Sequence, residues 1–290
     1  MNIRTFAAAA LLAATSFTAR AEAPPAKAYH LYVPGRKPIL HPVQTTPTML
    51  YFSGPVIAKI RVVSVMWTSA VNATVQSKIG GFYKAIVNST FVDQLAQYDT
   101  NIVGVNGMQG TDQSIVRGSY AGKVVISPTN KSKTLSDGQV QTELLAQIQA
   151  GSLPKNNLNT LYMIYFPPGY TITLDGSKSC QSFGAYHFAT STTVAKSNVF
   201  YGVMPDCGYT FDDTTIVSSH EYAEATTDAI PTPGSNPAYP QAWNDANGNE
   251  IGDLCEGTSG TLTAKKNTYL VQEIFLNSTN ACGTGNFHSP

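Results

Sequence analysis

Between Ser197 and Ala264 the chain has no lysine and no arginine, yet ten of its eighteen acidic residues fall between Asp206 and Glu256. The remainder, with eighteen basic residues against eight acidic ones, stands at net +10. A segment with ten negative charges and no positive side chain repels itself, and a bound cation is the simplest remedy. Inside it lies IVSSHEYAEATTD (216–228), a helical pattern carrying His-Glu-x-x-Glu. The rival reading is a solvated helix start, with Glu221 and Glu224 near the favourable N-terminal dipole.

The rest of the composition narrows the class. Hydrophobic residues make up 42% of 290 and charged residues 12%, enough for a real core. Net charge is zero, which gives no electrostatic case for a nucleic-acid partner or an anionic membrane. At the N-terminus, Arg4 precedes an apolar run from Phe6 to Ala14 and then small residues ending Ala19-Arg20-Ala21, the order of a secretory signal over 1–21. Residues 22–55 contain seven prolines and little periodicity, and read as an extended arm ahead of a globular metal-binding domain over 56–290. No later apolar run approaches the ~20 residues that span a bilayer. The expectation is an exported protein, extracellular or periplasmic, without a membrane span. Cys180, Cys207, Cys255 and Cys282 contain no C-x-x-C spacing, and an even count in an exported chain reads as two disulfides. Of three pairings, Cys180–Cys207 with Cys255–Cys282 closes loops of similar length and is favoured.

Periodicity orders the elements. Ile57 to Trp67 is a β-branched central strand, and Asn72 to Tyr98 one long helix or two broken near Asn88-Ser89. Gly118–Ile126 reads as a strand, Ser136–Ala150 as an amphipathic helix capped by Ser136, and Leu161–Phe166 as a buried strand. Short strands at Tyr186–Phe188 and Val199–Met204 precede the site helix, expected over Thr215–Ala229 with Asp212, Asp213 or Thr214 as N-cap. A tight loop over Asn244–Asp253 and a last strand over Tyr269–Leu276 follow. This order predicts one α/β (α+β) domain with a mixed twisted sheet, an active-site helix and an acidic C-terminal loop region.

Side chains four apart on a helix share a face, so His220 and Glu224 reach one ion. Glu221 projects about 100° away and can address a water on that ion as general base. Zinc accepts imidazole nitrogen and carboxylate oxygen, although a carboxylate at the second position shifts preference toward harder ions. Asp228, eight residues from His220, lies two turns away and is too distant. The third ligand is sought in Asp245, Glu250 and Asp253, with Asp253 preferred because Gly252 frees the backbone beside it. The same loop has a rival reading: Asp245, Asn247, Asn249 and Glu250 are oxygen donors around Gly248 that suit calcium, though not as an EF-hand. His187 either serves the ion or an oxyanion, or is a core histidine with a satisfied hydrogen bond.

The order of parts, with the H-E-x-x-x helix followed by an acidic loop, resembles the catalytic domain of zincin-type metallopeptidases. That resemblance implies His220 as first zinc ligand, Glu221 as base and Glu224 in place of a second histidine; no downstream G-x-x-H or Met-turn follows. As a whole the chain also resembles uncharacterised bacterial secreted proteins with an S-H-E-x-x-E-A-x-T-D core and an E-I-G-D-x-C loop, distantly similar to the plant EXORDIUM/phosphate-induced family. Three functions stand as expectations. The first is a secreted zinc-dependent hydrolase acting on polypeptide. The second is a non-catalytic cell-surface or binding protein stabilised by calcium. The third is a glycosidase using Glu221 and Glu250.

Overall fold

Residues 61–66 are Val/Met-rich and buried on both faces, which is what a central parallel strand requires. In the computed structural model, which describes residues 48–191, 197–231, 241–283 and 285–290, this segment is strand β1 (Arg61–Met66). Helices α1 (Ala73–Ile86) and α2 (Thr90–Leu95) follow, then β2 (Ser119–Val125), α3 (Asp137–Gln149) and β3 (Thr160–Tyr165). Strands β4 (Tyr186–Ser191) and β5 (Asn198–Met204) lead into α4 (Phe211–Thr227). The chain closes with β6 (Ser259–Ala264), β7 (Asn267–Gln272) and β8 (Asn286–Ser289). The main sheet runs β2-β1-β3-β5-β4; the first four strands are parallel, and β4 is an antiparallel edge on β5. The fold is mixed α/β, as the sequence predicts.

Alternation along each strand divides the core in two. Val62 and Met66, Leu161 and Met163, and Phe200 and Met204 face one side, where they meet α1, α2 and α4. Val63, Val65 and Trp67, Tyr162 and Ile164, and Val199, Tyr201 and Val203 face the other, against Val140 and Leu144 of α3. Fully burying one such side chain is worth about 1.5–3 kcal/mol. A buried hydroxyl chain ties the first layer together. Tyr83 of α1 lies 2.7 Å from Tyr165 of β3, which lies 2.8 Å from Ser218 of α4.

Several boundaries differ from expectation, each for a local reason. The 72–98 stretch is two helices because Ser89 stops the first and caps the second, its hydroxyl accepting from Phe91 N. Helix α4 begins a turn early. Thr210 is the cap, and Asp213, expected as a cap, is the reciprocal partner three residues on that accepts from Thr210 N. The last strand ends at Gln272, and β6 and β8, both missed, flank each other in the C-terminal sheet. Residues 48–55, assigned to the arm, belong to the domain. Leu50–Tyr51 pairs with Trp243–Asn244, and the Tyr51 ring packs 5.2 Å from Trp243. The signal segment 1–21 and residues 22–47 of the arm lie outside the described residues.

The disulfides are Cys180–Cys207 and Cys255–Cys282, the favoured pairing. The first joins the turn before β4 to the turn after β5, and the second joins the loop after α4 to the C-terminal strands. No described helix is long and apolar enough to cross a membrane. Each bridge spans 27 residues, so loop closure predicts that Cys255→Ser with Cys282→Ser costs about 3–4 kcal/mol. Urea unfolding of the double variant checks this, and a loss below about 1 kcal/mol would mean that the loop is held by packing alone.

Candidate metal centre on helix four

Helix α4 is a polar sequence buried nearly all round, from Thr214 to Thr227. Its hydroxyls tolerate this because they bond back to the helix itself. Thr226 Oγ1 donates to Tyr222 O (2.6 Å), Thr227 Oγ1 to Ala223 O (3.1 Å), and Ser219 Oγ to Ile216 O (2.7 Å). His220, Glu221 and Glu224 cannot do so and reach across to other elements. All three are buried, with exposures of 7%, 4% and 3%.

His220 meets three partners. Its Nδ1 lies 3.1 Å from Gln272 Oε1, and the Gln272 amide is fixed by Nε2 donating to Gly252 O at 2.7 Å. The oxygen therefore faces the imidazole, and Nδ1 carries the hydrogen. Nε2 is left pointing at Glu224 Oε2 (3.0 Å) and Asp253 Oδ1 (3.9 Å). Two donors about 2.1 Å from one tetrahedral ion stand about 3.4 Å apart, so these spacings bracket a shared divalent ion. An imidazole whose other nitrogen is tied to an acceptor is the usual arrangement of a histidine ligand. The donor set of one nitrogen and two carboxylates suits a divalent ion, zinc among them.

The loop is built around the same contacts. Asp253 N donates to Glu224 Oε1 (3.2 Å), and Glu250 N to Asp253 Oδ2 (2.9 Å). Gly252 is needed for space rather than for backbone freedom, which corrects the reason given above. Its φ is −79°, ordinary for any residue, but a Cβ there would stand 2.6 Å from His220 Nδ1 and 2.9 Å from Glu224 Oε1.

His187, on edge strand β4, closes the other side. Its Nε2 lies 3.1 Å from Asp228 O and 3.4 Å from Glu250 Oε1, while Nδ1 lies 3.3 Å from Glu221 Oε2 and 3.8 Å from Glu224 Oε2. The cluster thus gathers His187, His220, Glu221, Glu224, Glu250 and Asp253. Burial opposes charge on His187, but Glu250 and Glu221 override it and hold its pKa well above the imidazole range. His220 behaves alike: burial opposes its charge, and Glu224, Glu221 and Asp253 overcome it. Burial, with Asp253 and Glu250 adding repulsion, pushes Glu224 up to about 8 despite the opposing pull of His220.

Three of the four proposed calcium donors, Asp245, Asn247 and Asn249, lie in mutual contact. Asp245 Oδ1 accepts from Asn247 N and Asn249 N, both at 2.8 Å, and Oδ2 from the Asn249 side-chain amide at 2.9 Å, so the two asparagines present donors to the carboxylate. Glu250 turns to His187 instead. Asp228 is structural: its carboxylate accepts from Ala242 N (2.9 Å) and Asn244 Nδ2 (2.8 Å). Gln272 is the residue that sequence reasoning missed, although a glutamine interrupting the apolar run Tyr269–Leu276 was a visible signal.

No protein-family model, curated protein or solved structure matches the chain. The site therefore stands on its own chemistry. Gly252→Ala should displace His220 or Glu224 and weaken divalent-ion binding by tenfold or more, because the added methyl has no room. Calorimetric titration with zinc checks this, and an unchanged affinity would show that the loop yields freely.

Proposed function

We propose that the protein is a metal-dependent hydrolase, most simply a zinc peptidase, with His220, Glu224 and Asp253 holding the ion. The observation that carries the reading is the orientation of the His220 ring. Gln272 takes the Nδ1 hydrogen, and Nε2 is aimed at two carboxylates in a segment with no lysine or arginine. A divalent ion in that position supplies Lewis-acid activation of water and of a carbonyl.

The chain's own residues supply the rest. Glu221 lies one position on from His220, buried, with its Oε2 3.3 Å from His187 Nδ1. It is therefore the carboxylate best placed to take a proton from water and pass it to the leaving amine. His187 positions Glu221 from the edge strand. Asp253, through its amide on Glu224 and its carboxylate near His220, fixes the relative placement of helix and loop. Two disulfides fit an oxidising compartment, which supports the reading of 1–21 as an export signal.

Glu221→Gln should abolish cleavage of an unstructured protein such as labelled casein, by about a thousandfold or more, while one equivalent of zinc stays bound. Asp253→Asn should lower zinc affinity by at least tenfold and, at saturating zinc, leave measurable activity. Chelation should remove activity and added zinc restore it. Full turnover by Glu221→Gln, or activity indifferent to chelators, would overturn the assignment.

A further inference from the structure

The first ion uses only part of the cluster. His187, Glu221 and Glu224 form a second triplet whose ligand atoms lie within 4.8 Å of one another, and all three are buried. The tautomer of His187 makes the triplet more than a crowd of acids. Asp228 O is a main-chain carbonyl and can only accept, so Nε2 carries the hydrogen. Nδ1 then presents either a lone pair or a second hydrogen to Glu221 Oε2 at 3.3 Å and Glu224 Oε2 at 3.8 Å. These spacings are close to the 3.0 and 3.9 Å around His220, and they bracket the ~3.4 Å between donors of one tetrahedral ion. Both imidazoles are thus anchored through one nitrogen to an oxygen acceptor and aim the other at the same oxygen, Glu224 Oε2.

Charge leads to the same place. With all four ionised, Glu221, Glu224, Glu250 and Asp253 bring four negative charges to the cluster, and no lysine or arginine occurs between Ser197 and Ala264. With both imidazoles neutral, as ion binding requires, one divalent ion compensates half of that charge; two compensate all of it. Carboxylates removed from water need such compensation, because their hydration is lost.

We propose that His187, Glu221 and Glu224 form a second divalent-ion site, sharing Glu224 with the first, and that filling it silences Glu221 as a base. The second ion takes the carboxylate lone pair that otherwise accepts the proton from water. It binds more weakly than the first, since two divalent ions on one carboxylate repel each other. The inhibitory role rests on the hydrolase reading above; the existence of the site does not.

Zinc is the probe. Equilibrium dialysis with elemental analysis should find two equivalents per chain, the second about tenfold or more weaker. Glu221→Gln, which keeps the side-chain shape, and His187→Ala should each retain one tight equivalent and lose the second within the same concentration range. Retention of the first equivalent confirms that each variant is folded. Casein cleavage should peak near one equivalent and fall at least tenfold as the second loads. Saturation at a single equivalent, or a second equivalent kept by both variants, removes the site. Activity that climbs through the second equivalent, or is unaffected by it, removes the inhibitory role. Absence of cleavage at every loading sinks the hydrolase reading and that role together, while the ion counts still decide whether the site exists.

Discussion

Four largely buried carboxylates converging on two imidazoles create the electrostatic demand on which the rest of this structure depends. Each ion moved out of water loses hydration worth several kcal/mol, and mutual repulsion adds to that. Burial opposes charge on both imidazoles, and their carboxylate neighbours outweigh it. The segment from Ser197 to Ala264 has no lysine or arginine. The cluster is assembled from helix, edge strand and loop, and a main-chain oxygen and a glutamine oxygen orient the two rings.

The scaffold delivers these groups through rigid elements. Helix α4 leaves the carboxyl end of β5 and lies across the sheet, locked to β3 and α1 through Ser218, Tyr165 and Tyr83. Edge strand β4 runs back against β5 and carries His187 to the same helix. The disulfide Cys180–Cys207 holds the two ends of that strand pair, so His187 cannot drift along the edge. Strand β7 packs on the opposite flank, where Gln272 N donates to Ser219 Oγ at 2.8 Å while its side chain reaches His220 and Gly252. Every oriented side chain is held by at least two elements, which is what precise placement requires.

Much of this was legible in the chain itself. The period of α3, the capping serine at 136 and the buried runs of β1, β3 and β5 are local signals, and they placed the main sheet and most helices. The i, i+4 spacing of His220 and Glu224 gave the core of the site, and Asp253 lies beside them. The rest is tertiary. That Glu250 faces His187 depends on where the edge strand lies against the loop, which no spacing rule reveals. That Gly252 is required for space depends on a helix thirty residues upstream. Residues 48–55 looked like an arm because their burial comes from a partner, Trp243–Asn244, distant in sequence.

The glutamate at position 224 is the clearest departure from a two-histidine helix, and the geometry gives it a physical reason. A histidine there would offer one free nitrogen and serve one ion. A carboxylate offers two oxygens: Glu224 Oε1 accepts from Asp253 N and so fixes the loop, while Oε2 stands before both imidazoles. A carboxylate binds zinc less tightly than an imidazole does, but in this position it sets one acceptor before both rings. The position is a junction, where helix, loop and edge strand meet on a single side chain, and only an acidic residue of this length can hold all three.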